Sequence, residues 1–209
     1  LKMEAGSKWY VTADKCVDLV MEEGSILYLG TPQDQRDFAL KNVTNTGKMT
    51  VNGGTTWFQA DVGSISGDQL IVAHTIEGTS GKIAVENLGF SSTDGTEKLI
   101  LIKAKNGGAG FTLTNAVEQG GYIYLLDNEF DGGTGTNWFL YGTERSTSSA
   151  SASVNVVSGG YLLNYAETQA LLQRMGDLRQ DQSDGGIWAR AFGGKFTSSS
   201  DGFLSGFDM

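Results

Sequence analysis

A single histidine limits the chemistry available to this chain. His74 stands in "IVAHTIEG", at the end of a strand-like run and beside Thr75 and Glu77. A Ser/His/Asp triad would have to use it, but a histidine so placed reads as a partly exposed sheet-edge residue. No G-x-S-x-G elbow, G-x-x-x-x-G-K-[ST] loop or H-E-x-x-H pair occurs. "NGGAG" (106–110) and "DGGTG" (131–135) invite a phosphate-loop reading. Neither is followed by a helical pattern whose N-terminus would attract phosphate, so both read as turns. Paired carboxylates could cleave glycosides if held about 5–9 Å apart. Asp14 and Asp18, Glu22 and Glu23, and Asp127, Glu129 and Asp131 cluster locally. In a chain with more acids than bases, such clusters read as solvated loops and turns. "DNEFDGGTGTNW" starts like a calcium loop at Asp127 and has Gly132 at the sixth place, but its twelfth residue is Trp138 and not glutamate. The expectation is no catalytic residue, no metal and no cofactor.

Composition narrows the class further. Among 209 residues, 15 Lys and Arg face 24 Asp and Glu, a net charge of −9 that leaves no basic surplus for phosphates. Nucleic acid is therefore not an expected partner. Cys16 is the only cysteine, so no internal disulfide or cysteine-based metal site forms. No apolar run is long enough for a transmembrane helix, and "LKMEAGSKWY" has no signal-peptide core. It begins mid-pattern, as if continuing a longer chain. Thirty glycines and one proline suit many tight turns between strands that need their backbone donors.

The elements that carry these residues are short. From residue 1 to about 142, strand-length runs such as "SILYLG", "TWFQAD", "DQLIVA", "KIAVEN", "KLILIKA", "GYIYLLD" and "NWFLYG" alternate with Gly, Asn, Asp, Ser and Thr. "NTGKMTVNGG" and "GTSGKIAVENLG" share one plan: turn residues, glycine, lysine, then alternating apolar positions. Two all-β solutions fit this spacing. One is a β-sandwich, with turns every 8–12 residues; the other is a parallel β-helix of stacked coils of roughly 20 residues. Residues 143–160 are small and polar and read as a linker. The period then changes. Over 161–180, Leu163, Ala166, Ala170, Leu171, Met175 and Leu178 form one apolar stripe of a short amphipathic helix, with Arg174 and Arg179 on wetter faces. Beyond a turn, "GIWARAFGGKF" (186–196) is a strand with Trp188, Arg190 and Phe192 on one side, and Ile187, Ala189 and Ala191 on the other.

In order, "GGTTWFQADVGSISGDQLIVAHTIEGTSGKIAVENLG", "EKLILIKAKN", "GFTLTNAVEQGGYIYLLD", "NWFLYG", "YLLNYAETQALLQRMGDLR" and "GGIWARAFGGKF" resemble the C-terminal passenger region of pertactin-like bacterial autotransporters. The likeness covers about residues 47–209. It implies an all-β fold: a right-handed parallel β-helix over 1–142, ending in the stable, folding-promoting cap often called the autochaperone. A linker (143–160), a pore helix (161–180) and the truncated start of an outer-membrane β-barrel (185–209) would follow. By resemblance, Asp68, Leu70 and Val72 fill the Gly/Ser-Asp-x-Leu-x-Val phrase. Tyr122, Tyr124 and Leu126 fill the Gly-Gly/Ala-Tyr-x-Tyr-x-Leu phrase, and Trp138, Phe139 and Leu140 fill the closing strand. Trp57 joins them in the expected folding core. Arg190 would be costly against lipid, by about 2–4 kcal/mol near the midplane, so it and its face should line the lumen. The segment 143–158 has no match to the paired-asparagine cleavage sequence of self-cleaving relatives. The implied function is folding and outer-membrane display of a surface protein, with an adhesin as the expected passenger. Implied partners are the chain's own C-terminal barrel, the outer-membrane assembly machinery, and host or bacterial surface ligands. The alternatives are a self-contained all-β binding module and a carbohydrate-active β-helix.

Overall fold

Stacked pairing decides between the two all-β solutions. In the computed structural model, which describes residues 1–29, 42–105, 108–133, 135–180, 195–200 and 203–208, the strands of successive coils lie parallel. The first sheet takes β1 (Lys2–Met3), β2 (Lys8–Val11), β3 (Leu19–Glu22) and β4 (Ile26–Leu29). β6 (Met49–Asp61) stacks on both β3 and β4. β7 (Ser66–Gly67) pairs antiparallel with the end of β6, and β9 (Ile76–Asn87) stacks on β6 in turn. The second sheet stacks β5 (Asn42–Asn45), β8 (Gln69–Val72) and β10 (Lys98–Lys105), also in parallel. Side chains that alternate along each strand therefore line up between coils. Leu19, Met49 and Ile76 form one buried column, and Val43, Leu70 and Ile102 another. This is a parallel β-helix and not a sandwich. Its coils are longer than the roughly 20 residues expected: contacts between coils join residues 27, 30 and 31 apart. β6 and β9 explain the surplus, since each runs through two stretches of the first sheet.

Those long strands turn where glycine permits. Gly53 in β6 has φ +90, and Gly24 one coil below has φ +80. Gly78 in β9 has φ +114, and any Cβ there would overlap the carbonyl of Val51. Beside the corner, the buried Ser25 Oγ donates to the Glu22 carbonyl at 2.6 Å. At other gaps in the ladder a side-chain amide stands in for a strand. Asn45 accepts from Val17 N at 3.2 Å and donates to Val17 O at 3.1 Å. Asn115 does the same for Val85, at 3.0 and 2.7 Å.

The top of the solenoid changes direction. β11 (Gly110–Leu113) is the last parallel addition to the first sheet, on β9. β12 (Val117–Gln119) then pairs antiparallel with β13 (Tyr122–Phe130), and β14 (Gly135–Ser146) returns antiparallel along β10. Two compact units result, Leu1–Arg145 and Ser146–Met209. In the second, α1 (Ser148–Gln180) starts where Thr147 Oγ1 accepts from Ala150 N at 3.2 Å. The linker expected over 143–160 is thus replaced by the end of β14 and the first turns of a longer helix. "STSSASASV" lacks proline, and alanine and a capping threonine favour helix over coil. β15 (Lys195–Ser200) and β16 (Phe203–Asp208) form an antiparallel pair. Trp188, Arg190 and Phe192 lie outside the described residues. So do the side chains of Ala170, Arg174, Met175, Leu178 and Arg179.

Candidate functional site

The densest set of buried polar contacts lies in the cap. Gly120 and Gly121, with φ +59 and +86, form the two-residue turn between β12 and β13, a geometry that suits a tight hairpin. The turn sends Tyr124 inward, where it is 1% exposed. Tyr122 and Leu126, on the same face, are half-buried against the core. The Tyr124 hydroxyl donates to Glu97 Oε2 at 2.6 Å and lies against Thr93 Oγ1. Glu97 also accepts from the backbone of Asp94 at 3.0 Å and of Gly95 at 3.1 Å. Burial alone would raise the Glu97 carboxyl, but donation from Thr93, Tyr124 and backbone N–H groups outweighs it and holds the group at about 2. Burial and the facing carboxylate push the Tyr124 phenol up to about 12. A neutral phenol donating to a permanent carboxylate is a fastening and not a proton relay.

Asp61 makes a second such knot. Its oxygens accept from Ser64 Oγ at 3.0 Å, Ser91 Oγ at 2.6 Å, Ser91 N at 3.3 Å and Gln119 Nε2 at 3.2 Å. Burial pulls this carboxyl upward, yet the bonds from Ser91, Gln119 and Ser64 hold it below the usual range. Four segments meet there: β6, the turn after it, the loop from β9 to β10, and β12. Asp68, 1% exposed, closes the neighbouring turn: its Oδ2 accepts from Gln59 N at 2.7 Å, and its own N–H returns to Gln59 O at 2.8 Å.

The other expected core residues divide. Leu70, Val72, Trp138, Phe139 and Leu140 are buried. Phe111 meets Trp138 edge-on at 5.2 Å, and Lys98 Nζ sits 4.0 Å over the Phe139 ring. Trp57 is not in the core. It lies half-buried on the outer face, in a ladder with Tyr28 at 5.7 Å and Tyr10 beyond it, while its neighbour Phe58 fills the interior. Adjacent residues of one strand point to opposite faces, and composition alone does not say which aromatic goes in. In α1, Leu163 and Leu171 are exposed, along with Val156, Val157, Tyr161 and Leu172.

No described group assembles a reaction centre. His74 is exposed. Asp131 spends Oδ1 on the N–H groups of Gly133 and Gly135, at 2.9 and 3.0 Å, and Glu129 pairs with Lys98 at 2.6 Å. The two open clefts beside β10 contain no carboxylate pair: one has none, and the other has Asp131 alone. Among the described residues no cluster of His, Cys, Asp and Glu is grouped to hold a metal.

Residues 17–142 match the family model described as Pertactin, the span that carries both carboxylate knots and the stacked columns. The chain belongs to the pertactin family. Its relatives are autotransporters. The Probable autotransporter YcgV of Escherichia coli strain K12 is 32% identical over 244 residues, covering 97% of this chain and 24% of that protein. The Serine protease SepA autotransporter of Shigella flexneri is 28% identical over 204 residues, covering 94% of this chain and 14% of the relative. The Serine protease EspC of Escherichia coli O127:H6 is 26% identical over the same length and shares. The chain thus spans about a quarter or less of the proteins it matches, as a pertactin-type passenger region. Glu97 and Asp61, the two centres of its cap, are missed by sequence reasoning. The one available signal was Asp61 closing "TWFQAD", an acid at the end of a buried strand.

Proposed function

We propose that this region is the folding-promoting end of an autotransporter passenger, non-catalytic in itself, which supports display of the passenger at the bacterial surface. The observation that carries it is the terminal hairpin. β13 and β14 close the last coil with Tyr124 buried beneath them and tied to Glu97. A solenoid needs such an end, because its last coil otherwise offers an apolar face and unpaired edge groups. The exposed apolar residues of α1 suit a helix that is enclosed by the chain's own C-terminal barrel. The outer-membrane assembly machinery would be needed to build that barrel. The passenger it supports is read as one of the adhesin type, meeting host or bacterial surface ligands.

Tyr124→Ala in the full-length protein tests the reading. Loss of a buried aromatic costs about 3–5 kcal/mol, and in a solenoid neighbouring coils feel it. Protease-resistant passenger at the cell surface should fall while the barrel stays in the membrane, with exposed His74→Ala as the unaffected control. Normal display of folded Tyr124→Ala passenger would refute a folding role for the cap.

A further inference from the structure

We propose that residues 88–97 form a carboxylate-keyed latch: Asp61 fastens one end and Glu97 the other, and the loop opens separately from the coils when both lose their charge. The segment crosses from β9 to β10 without strand structure. Its backbone donors go largely to side chains. Ser91 N–H reaches Asp61 at 3.3 Å, and Asp94 and Gly95 N–H reach Glu97. Thr96 N–H reaches Asp94 Oδ1 at 3.0 Å. Among the described residues, ordinary backbone pairing holds the margins, through Leu88 N to Ala60 O at 2.7 Å and Gly142 N to Glu97 O at 3.0 Å. The cap clasps the loop from the other side: Gln119 Nε2 donates to Ser91 O, and the Tyr124 hydroxyl lies between Thr93 and Glu97.

Among the described residues, no cation forms an ion pair with either carboxylate. Asp61 is held by the neutral groups of Ser64, Ser91 and Gln119; Asn87 beside it binds Val62 N–H and the Glu118 carbonyl. Near Glu97 stand Asp94 from the loop and Tyr124 from β13, while the adjacent Lys98 of β10 is taken by Glu129. Protonation turns an acceptor of several bonds into a donor facing other donors. The coils below are held chiefly by main-chain ladders, to which Asp14, Asp18 and Asp68 each add a carboxylate contact, on the N–H groups of Thr44, Lys48 and Gln59. The latch does not rest on the folding role, since a loop can open locally whether or not the cap promotes display.

Hydrogen exchange read by mass spectrometry on the full-length protein tests it. At neutral pH, Asp61→Asn with Glu97→Gln should lower protection over 88–97 roughly ten- to a hundred-fold, the loss expected for charge-assisted bonds. Protection over 49–61 and 76–87 should stay. Tyr124→Phe should loosen 94–97 and leave Ser91 held. If the double variant does not fold, the unsubstituted protein decides the matter between about pH 6 and pH 3, with exchange corrected for its intrinsic rate. Opening of 88–97 ahead of the coils supports the latch; loss in step with the coils, or no change in the loop, overturns it.

Discussion

At the residue scale, two carboxylates and a phenol concentrate the polar energetics of the cap. Tyr124→Phe keeps the ring and removes the donor, which should cost about 1.5–3 kcal/mol, less than the alanine variant; equilibrium denaturation of the passenger compares them. The pH dependence follows from the direction of each shift. The Glu97 carboxyl lies lower folded than unfolded, so its contribution is complete above pH 4.5 and drains away as pH falls towards about 2. Tyr124 shifts the other way: its contribution is whole below pH 10 and is lost as pH rises through about 12. Acid titration of unfolding should therefore lose its slope near pH 3–4 in Glu97→Gln relative to the unsubstituted protein; an unchanged profile would place the acid-sensitive group elsewhere.

At the element scale, glycine corners separate tolerant turns from intolerant ones. Gly78→Ala must drive a methyl into the Val51 carbonyl at a φ of +114. It should cost several kcal/mol, or about the whole stability of its coil. Gly89, at φ +66 with open space around it, should cost only about 1–2 kcal/mol when replaced by alanine. Thermal unfolding of the two variants gives the comparison, and similar losses would contradict the stacked corner. Much of this scale was legible in the sequence. "DQLIVA" and "GYIYLLD" announce alternation, and the Gly-Gly before Tyr122 announces its turn. The inward aromatic of "TWFQAD" was not legible, because Trp57 and Phe58 satisfy the same pattern in opposite registers. Nor was the start of α1, since a Ser/Ala run suits linker and helix alike until Thr147 supplies a cap.

At the scale of the whole molecule, stability passes between neighbours along an axis. Phe58 sits fully buried in the middle coil, with β4 on one side and β9 on the other. Phe58→Ala should lower exchange protection both above and below it, at a cost of about 3–5 kcal/mol. Met3→Ala should be felt chiefly in the first coil. Protection maps of the two variants would show the difference, and identical maps would mean that the solenoid unfolds as one block. The parallel architecture was open to a rival reading from spacing alone, because strand starts recur alike in sandwiches and coils. The order of phrases from residue 47 onward is what pointed to stacking. Asp61 and Glu97 stayed hidden because their partners lie far off in sequence: Ser91 is 30 residues from Asp61, and Tyr124 is 27 from Glu97.

The reversal at β14 has one more consequence. A stack of parallel coils grows like a crystal along one axis, each layer templating the next, and an exposed layer will accept any strand that runs the right way. β14, laid antiparallel on β10, acts on that face as a growth poison. A strand arriving in parallel orientation from a second molecule finds the lattice site occupied by a strand of the wrong polarity. The edge of β10 is thereby closed to a strand from another molecule.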